Sequence, residues 1–126
     1  EADTHFVKAL ADPFYRSPAA ALTNAGVCAL KAGNESSGEE YFRQVLTLQP
    51  NNATALFELA RTSYGKNDNL RARAFVQRLE SVAPADPVVL DLGRRVETRL
   101  GDAAAAQRYA TRLQNEFPDY QPDTHF

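Results

Sequence analysis

Apolar positions in this chain recur three and four residues apart, in short blocks separated by Gly, Asn, Asp and Pro. That spacing is the helical period, and no strand-like alternation competes with it. The blocks also match one another. First-type blocks carry a large apolar residue at Leu22, Leu56 and Leu90. Second-type blocks carry a small residue at Gly38, Ala72 and Ala106, an aromatic at Tyr41, Phe75 and Tyr109, and an aliphatic at Val45, Leu79 and Leu113. Ser17-Pro18, Asn52-Ala53 and Asp86-Pro87 place a capping side chain ahead of each first-type block, with Pro tolerated where the N–H has no helical partner. Gly33, Asn67 and Gly101, residue types that accept a left-handed backbone, end these blocks, and Asn34, Asp68 and Asp102 cap the next ones. The pattern predicts helices at about 18–32, 36–48, 53–66, 70–82, 87–100 and 103–116.

The interval between equivalent positions is constant, with Pro50, Pro84 and Pro118 standing 34 residues apart. A unit of that length with these columns resembles the tetratricopeptide signature, which implies an all-α fold of helix-turn-helix repeats forming a right-handed α-solenoid. Three repeats are expected at 18–50, 51–84 and 85–118, with a tail at 119–126. The third is degenerate, because Arg94 stands in the column of Gly26 and Ala60, and Ala110 in that of Phe42 and Val76. Residues 1–17 read as the remnant second helix of a preceding repeat, at about 3–12, plus a linker. Phe6, Ala9 and Leu10 would lack part of their packing there, so weak self-association through the two repeat ends is expected.

Composition narrows the function. A net charge of −2 without a basic run argues against nucleic acid, whose binding needs clustered Lys and Arg. Two histidines, His5 and His125, and one cysteine supply no metal-ligand set or activated nucleophile, so neither an enzyme nor a cofactor is expected. The tetrapeptide Asp-Thr-His-Phe occurs at 3–6 and again at 123–126, an offset that is no multiple of the repeat. Arrays of this kind line their concave face with first helices, and helical phase assigns Thr23, Asn24, Phe57, Arg61, Tyr64, Asp91 and Arg95 to a protein-binding surface. Asn24 and Arg61 resemble parts of the carboxylate clamp of chaperone-binding arrays. Phe57 and Glu58 disagree with it.

One stretch is more specific than the repeat. Lys8-Ala-Leu-Ala-Asp-Pro-Phe-Tyr-Arg-Ser-Pro18, followed by Leu22-Thr-Asn-Ala-Gly-Val-Cys-Ala-Leu30, resembles the type IV pilus biogenesis and stability lipoproteins, the pilotins of the pilus secretin. The resemblance runs from about residue 6 to Pro118 and implies a protein on the periplasmic face of the outer membrane that supports localisation and multimerisation of the secretin. It also implies that membrane attachment is through a lipid anchor absent from this chain. Cys28 lies mid-helix and does not match the lipidated cysteine. In an oxidising compartment its expected role is a disulfide to a cysteine of a missing repeat, or else that of an inert buried thiol. A general peptide-binding adaptor is the alternative reading, and it rests on the fold alone.

Overall fold

The computed structural model describes residues 17–121 and 126, and among these every regular element is a helix. The helices are α1 (Pro18–Lys31), α2 (Glu35–Leu48), α3 (Ala53–Gly65), α4 (Asn69–Val82), α5 (Pro87–Leu100) and α6 (Ala103–Glu116). The expected helix at about 3–12, its linker and both histidines lie outside the described residues.

Each first helix is opened by the predicted side chain. Ser17 Oγ accepts from the Ala20 amide (3.3 Å), Asn52 Oδ1 from Ala55 (2.9 Å) and Asp86 Oδ1 from Val88 (2.8 Å). The turns after them are equally uniform. Gly33, Asn67 and Gly101 adopt φ of 82°, 64° and 81°, and at Asn67 this is the left-handed conformation that its short polar side chain tolerates. The left-handed residue lets the next amide reach back to the helix. Asn34 N–H bonds Ala29 O (2.8 Å), Asp68 N–H bonds Ser63 O (2.8 Å) and Asp102 N–H bonds Glu97 O (3.0 Å). The same three residues then cap α2, α4 and α6 through their side chains, accepting from Ser37, Arg71 and Ala105. One residue thus ends a helix with its amide and begins another with its carboxyl or amide oxygen.

Two compact units divide the chain within α3, at Glu58 and Leu59. In the first, α1 packs on α2. Its core is Ala21, Leu22, Ala25, Ala29, Phe42, Val45 and Leu56, all buried. Gly26 is the socket for Phe42: a Cβ at Gly26 would stand 2.7 Å from the ring. In the second unit α5 packs on both α4 and α6, around Leu59, Ala60, Ala72, Val76, Leu79, Leu90, Leu92 and Val96.

The degeneracy of the third repeat resolves into a displacement. Arg94 and Ala110 replace the Gly26 and Phe42 columns, but the socket and its ring are present one residue earlier on both helices. A Cβ at Gly93 would lie 2.6 Å from Tyr109 Cζ. The contact has passed to the neighbouring columns, with Gly93 in that of Ala25 and Leu59 and Tyr109 in that of Tyr41 and Phe75, so the helix-to-helix fit survives.

Candidate partner-binding surface

The chemistry of the second unit is concentrated on α5. Asp91 is fully buried and is neutralised from its own helix, since positions three and four residues on share its face. Arg94 Nη2 donates to Asp91 Oδ1 at 2.7 Å and Arg95 Nε to Oδ2 at 3.2 Å. A buried carboxylate without such partners would be costly, and here a third donor adds to them, the Tyr120 hydroxyl at 3.1 Å. Burial first, and then the adjacent Asp91 charge, pushes the Tyr120 pKa up to about 12. Burial works against the charged form of Arg95, but Asp91 and Tyr64 outweigh it, so the pKa of Arg95 is raised.

Around this centre lies an aromatic slot. The Arg99 guanidinium sits 3.7 Å from the centroid of the Tyr64 ring, and its Nη1 donates to the Tyr64 carbonyl at 2.9 Å. Phe126 meets Tyr64 edge to face, with centroids 6.0 Å apart and planes at 73°. The Arg95 guanidinium lies 5.1 Å over the Phe126 ring. Each contact sets a positive group or ring edge against the negative face of an aromatic ring.

Two further networks brace the helices beneath. Arg73 on α4 makes a two-pronged ion pair with Glu97, whose side chain is 5% exposed. Tyr109 O–H donates to Glu80 Oε2 and Arg112 Nη1 to Glu80 Oε1, both at 2.6 Å. Burial and then this bond to Glu80 raise the Tyr109 pKa well above the ordinary phenol range. Between α5 and α6 there is also a groove of about 380 Å³, lined by Arg94, Thr98, Ala103, Ala106, Gln107 and Ala110.

Of the residues assigned by helical phase, Tyr64, Asp91 and Arg95 are brought together in the second unit. Arg61 is half-buried in the same unit. In the first unit Thr23 is half-buried and donates its hydroxyl to Ala19 O at 2.8 Å, Asn24 is exposed and Phe57 is half-buried. Asp91 is the residue whose setting differs most from an open contact, because it acts on the surface through the arginines it holds. Cys28 is exposed, so the reading of an inert buried thiol is not met. Sequence reasoning passed over Arg94, Arg99, Tyr120 and Phe126. The Asp-x-x-Arg-Arg spacing at 91–95 was a usable signal for the first, whereas nothing local announces that Arg99 reaches Tyr64. Among the described residues there is no group of three His, Cys, Asp or Glu placed to hold a metal ion, and no helix long and apolar enough to cross a membrane.

A model of the tetratricopeptide repeat matches residues 29–96, more than half of the chain. The chain belongs to the tetratricopeptide repeat family. Among solved tetratricopeptide relatives, PilW, described as a widely conserved type IV pilus biogenesis factor, is 35% identical with a TM-score of 0.83, over 94% of this chain and 54% of its own. PilF of Pseudomonas aeruginosa is 22% identical with a TM-score of 0.80, over 93% of this chain and 53% of its own, a likeness of fold. A TPR repeat-containing protein of Pseudomonas aeruginosa is 28% identical over 105 residues, which is 82% of this chain and 18% of that protein. The chain therefore spans about half the length of the two solved tetratricopeptide relatives and under a fifth of the curated one.

Proposed function

We propose that this chain is the protein-binding part of a type IV pilus biogenesis factor that acts as a pilotin, helping the pilus secretin to reach the outer membrane and multimerise there. The observation that carries the reading is the 35% identity to PilW across 94% of the chain. The Leu22-Thr-Asn-Ala-Gly segment and the linker before it support it independently. In this reading the full-length protein is a lipoprotein on the periplasmic face, and the secretin docks through first-helix side chains of α3 and α5. A repeat array suits such work because it offers a stiff, extended face whose side chains vary without disturbing the packing columns.

The test is retention of secretin by the full-length protein. Replacing Arg61, Tyr64 and Arg95 together by Ala should lower both the secretin retained and the fraction of secretin found as multimers, with helicity preserved. Retention of no secretin by the wild-type full-length protein would overturn the reading.

A further inference from the structure

Two residues of the tail return to the surface just described, and they land on the residues that helical phase had assigned to partner contact. Tyr120 donates to Asp91, while Phe126 sits against Tyr64 and beneath Arg95. We propose that the tail is an internal occupant of the binding surface, and that the slot made by Tyr64, Arg95 and Arg99 takes an aromatic side chain from an extended segment of a partner. The proposal rests on α3 and α5 forming the partner surface.

The chemistry of the slot selects its occupant. A guanidinium over one ring and an edge-to-face contact with another favour an aromatic over an aliphatic of equal area, because both contacts use the ring quadrupole. Arg95 and Arg99 both lie against the rings of the slot, and Asp91 offsets only part of their charge, so acidic residues beside the aromatic are favoured as well. The tail has that composition, with Asp119 and Asp123 preceding Phe126. Phe126 is only half-buried, as befits a side chain that can be exchanged rather than one sealed in a core. The segment Asp-Thr-His-Phe at 3–6 repeats the residues at 123–126, which gives the chain a second stretch of the same chemistry. A tethered occupant acts at an effective concentration in the millimolar range, so a partner segment must displace it.

The probe is a fluorescent octapeptide with the sequence of residues 119–126, titrated into the full chain and followed by anisotropy. The chain carrying Phe126→Ala together with Phe6→Ala should bind this peptide at least about fivefold more tightly than the wild type, the scale expected for loss of one ring pair and one cation–π contact. A peptide ending in Ala should show no gain. Adding Tyr64→Ala, or separately Arg95→Ala, should abolish the gain while circular dichroism stays unchanged. Equal affinity for wild type and variant, or a gain that survives both additions, would overturn the proposal. No secretin is present in this titration, so its failure leaves the pilotin reading intact, and failure of secretin retention leaves the slot intact.

Discussion

Gly93→Ala and Gly65→Ala are the same chemical change at two helical glycines, and the structure assigns them opposite signs. Ala is favoured over Gly within a helix by up to about 1 kcal/mol. At Gly65, the last residue of α3, a Cβ would meet nothing within 4 Å, so most of that gain should be realised. At Gly93 the new Cβ would stand 2.6, 2.7 and 2.9 Å from three atoms of the Tyr109 ring. The ring must retreat by about 1 Å to restore ordinary contact, and it is tethered: its hydroxyl bonds Glu80 at 2.6 Å, and Arg112 holds Glu80 at 2.6 Å. Overpacking of this kind costs about 1–3 kcal/mol, and a hydrogen bond to a charged group adds about 1.5–3 kcal/mol if it breaks. After the propensity gain of about 1 kcal/mol, Gly93→Ala should destabilise by up to about 2 kcal/mol if the bond to Glu80 is kept and by about 1.5–5 kcal/mol if it breaks. Urea denaturation followed by circular dichroism reads both variants. If Gly93→Ala is as stable as the wild type or more so, the ring is not seated against Gly93. Tyr109→Phe in the Gly93→Ala background should recover part of the loss by untethering the ring, a coupling on the order of 1 kcal/mol.

Three further outcomes are expected. Asp91→Ala should destabilise by about 2 kcal/mol in the same assay, since it removes the acceptor shared by Arg94, Arg95 and Tyr120 while leaving the arginines enough exposure to rehydrate. Stability should fall as pH rises above about 10, because the unfolded chain gives up its Tyr109 proton there while the folded chain retains it. The contribution is complete below the unfolded pKa and is lost on approach to the folded one, so Tyr109→Phe should flatten this alkaline slope; an unchanged slope would contradict the raised pKa. Cys28 is exposed, and in the full-length protein it should be found joined to a second cysteine by mass spectrometry without reductant. A free thiol there would refute the disulfide.

The helices, their caps and their turns were legible because each is a local event. Gly33, Asn67 and Gly101 declare a left-handed turn whatever surrounds them, and Asn34, Asp68 and Asp102 follow in phase. The packing was legible only while the period held. Gly93 and Tyr109 are one residue out of phase with Gly26 and Phe42, so the third repeat reads as eroded although its socket is filled. The surface was legible by face but not by depth. Helical phase put Tyr64, Asp91 and Arg95 on one face, and they do lie together, but it gave no sign that Asp91 is fully buried among two neighbouring arginines and a tyrosine 29 residues away. Arg99 and Phe126 reach Tyr64 across long stretches of chain, and single-column reasoning has no means of pairing them.

The displaced socket bears on how such a chain can be recombined. Turn and cap keep the 34-residue interval at Gly101 and Asp102, so a splice there looks seamless by sequence. A second helix grafted from the first repeat would set Tyr41 in the place of Tyr109, but it would bring Phe42 to the position of Ala110, in the column that pairs with Arg94 rather than with a glycine. Helices α5 and α6 are a matched pair that must be inherited together.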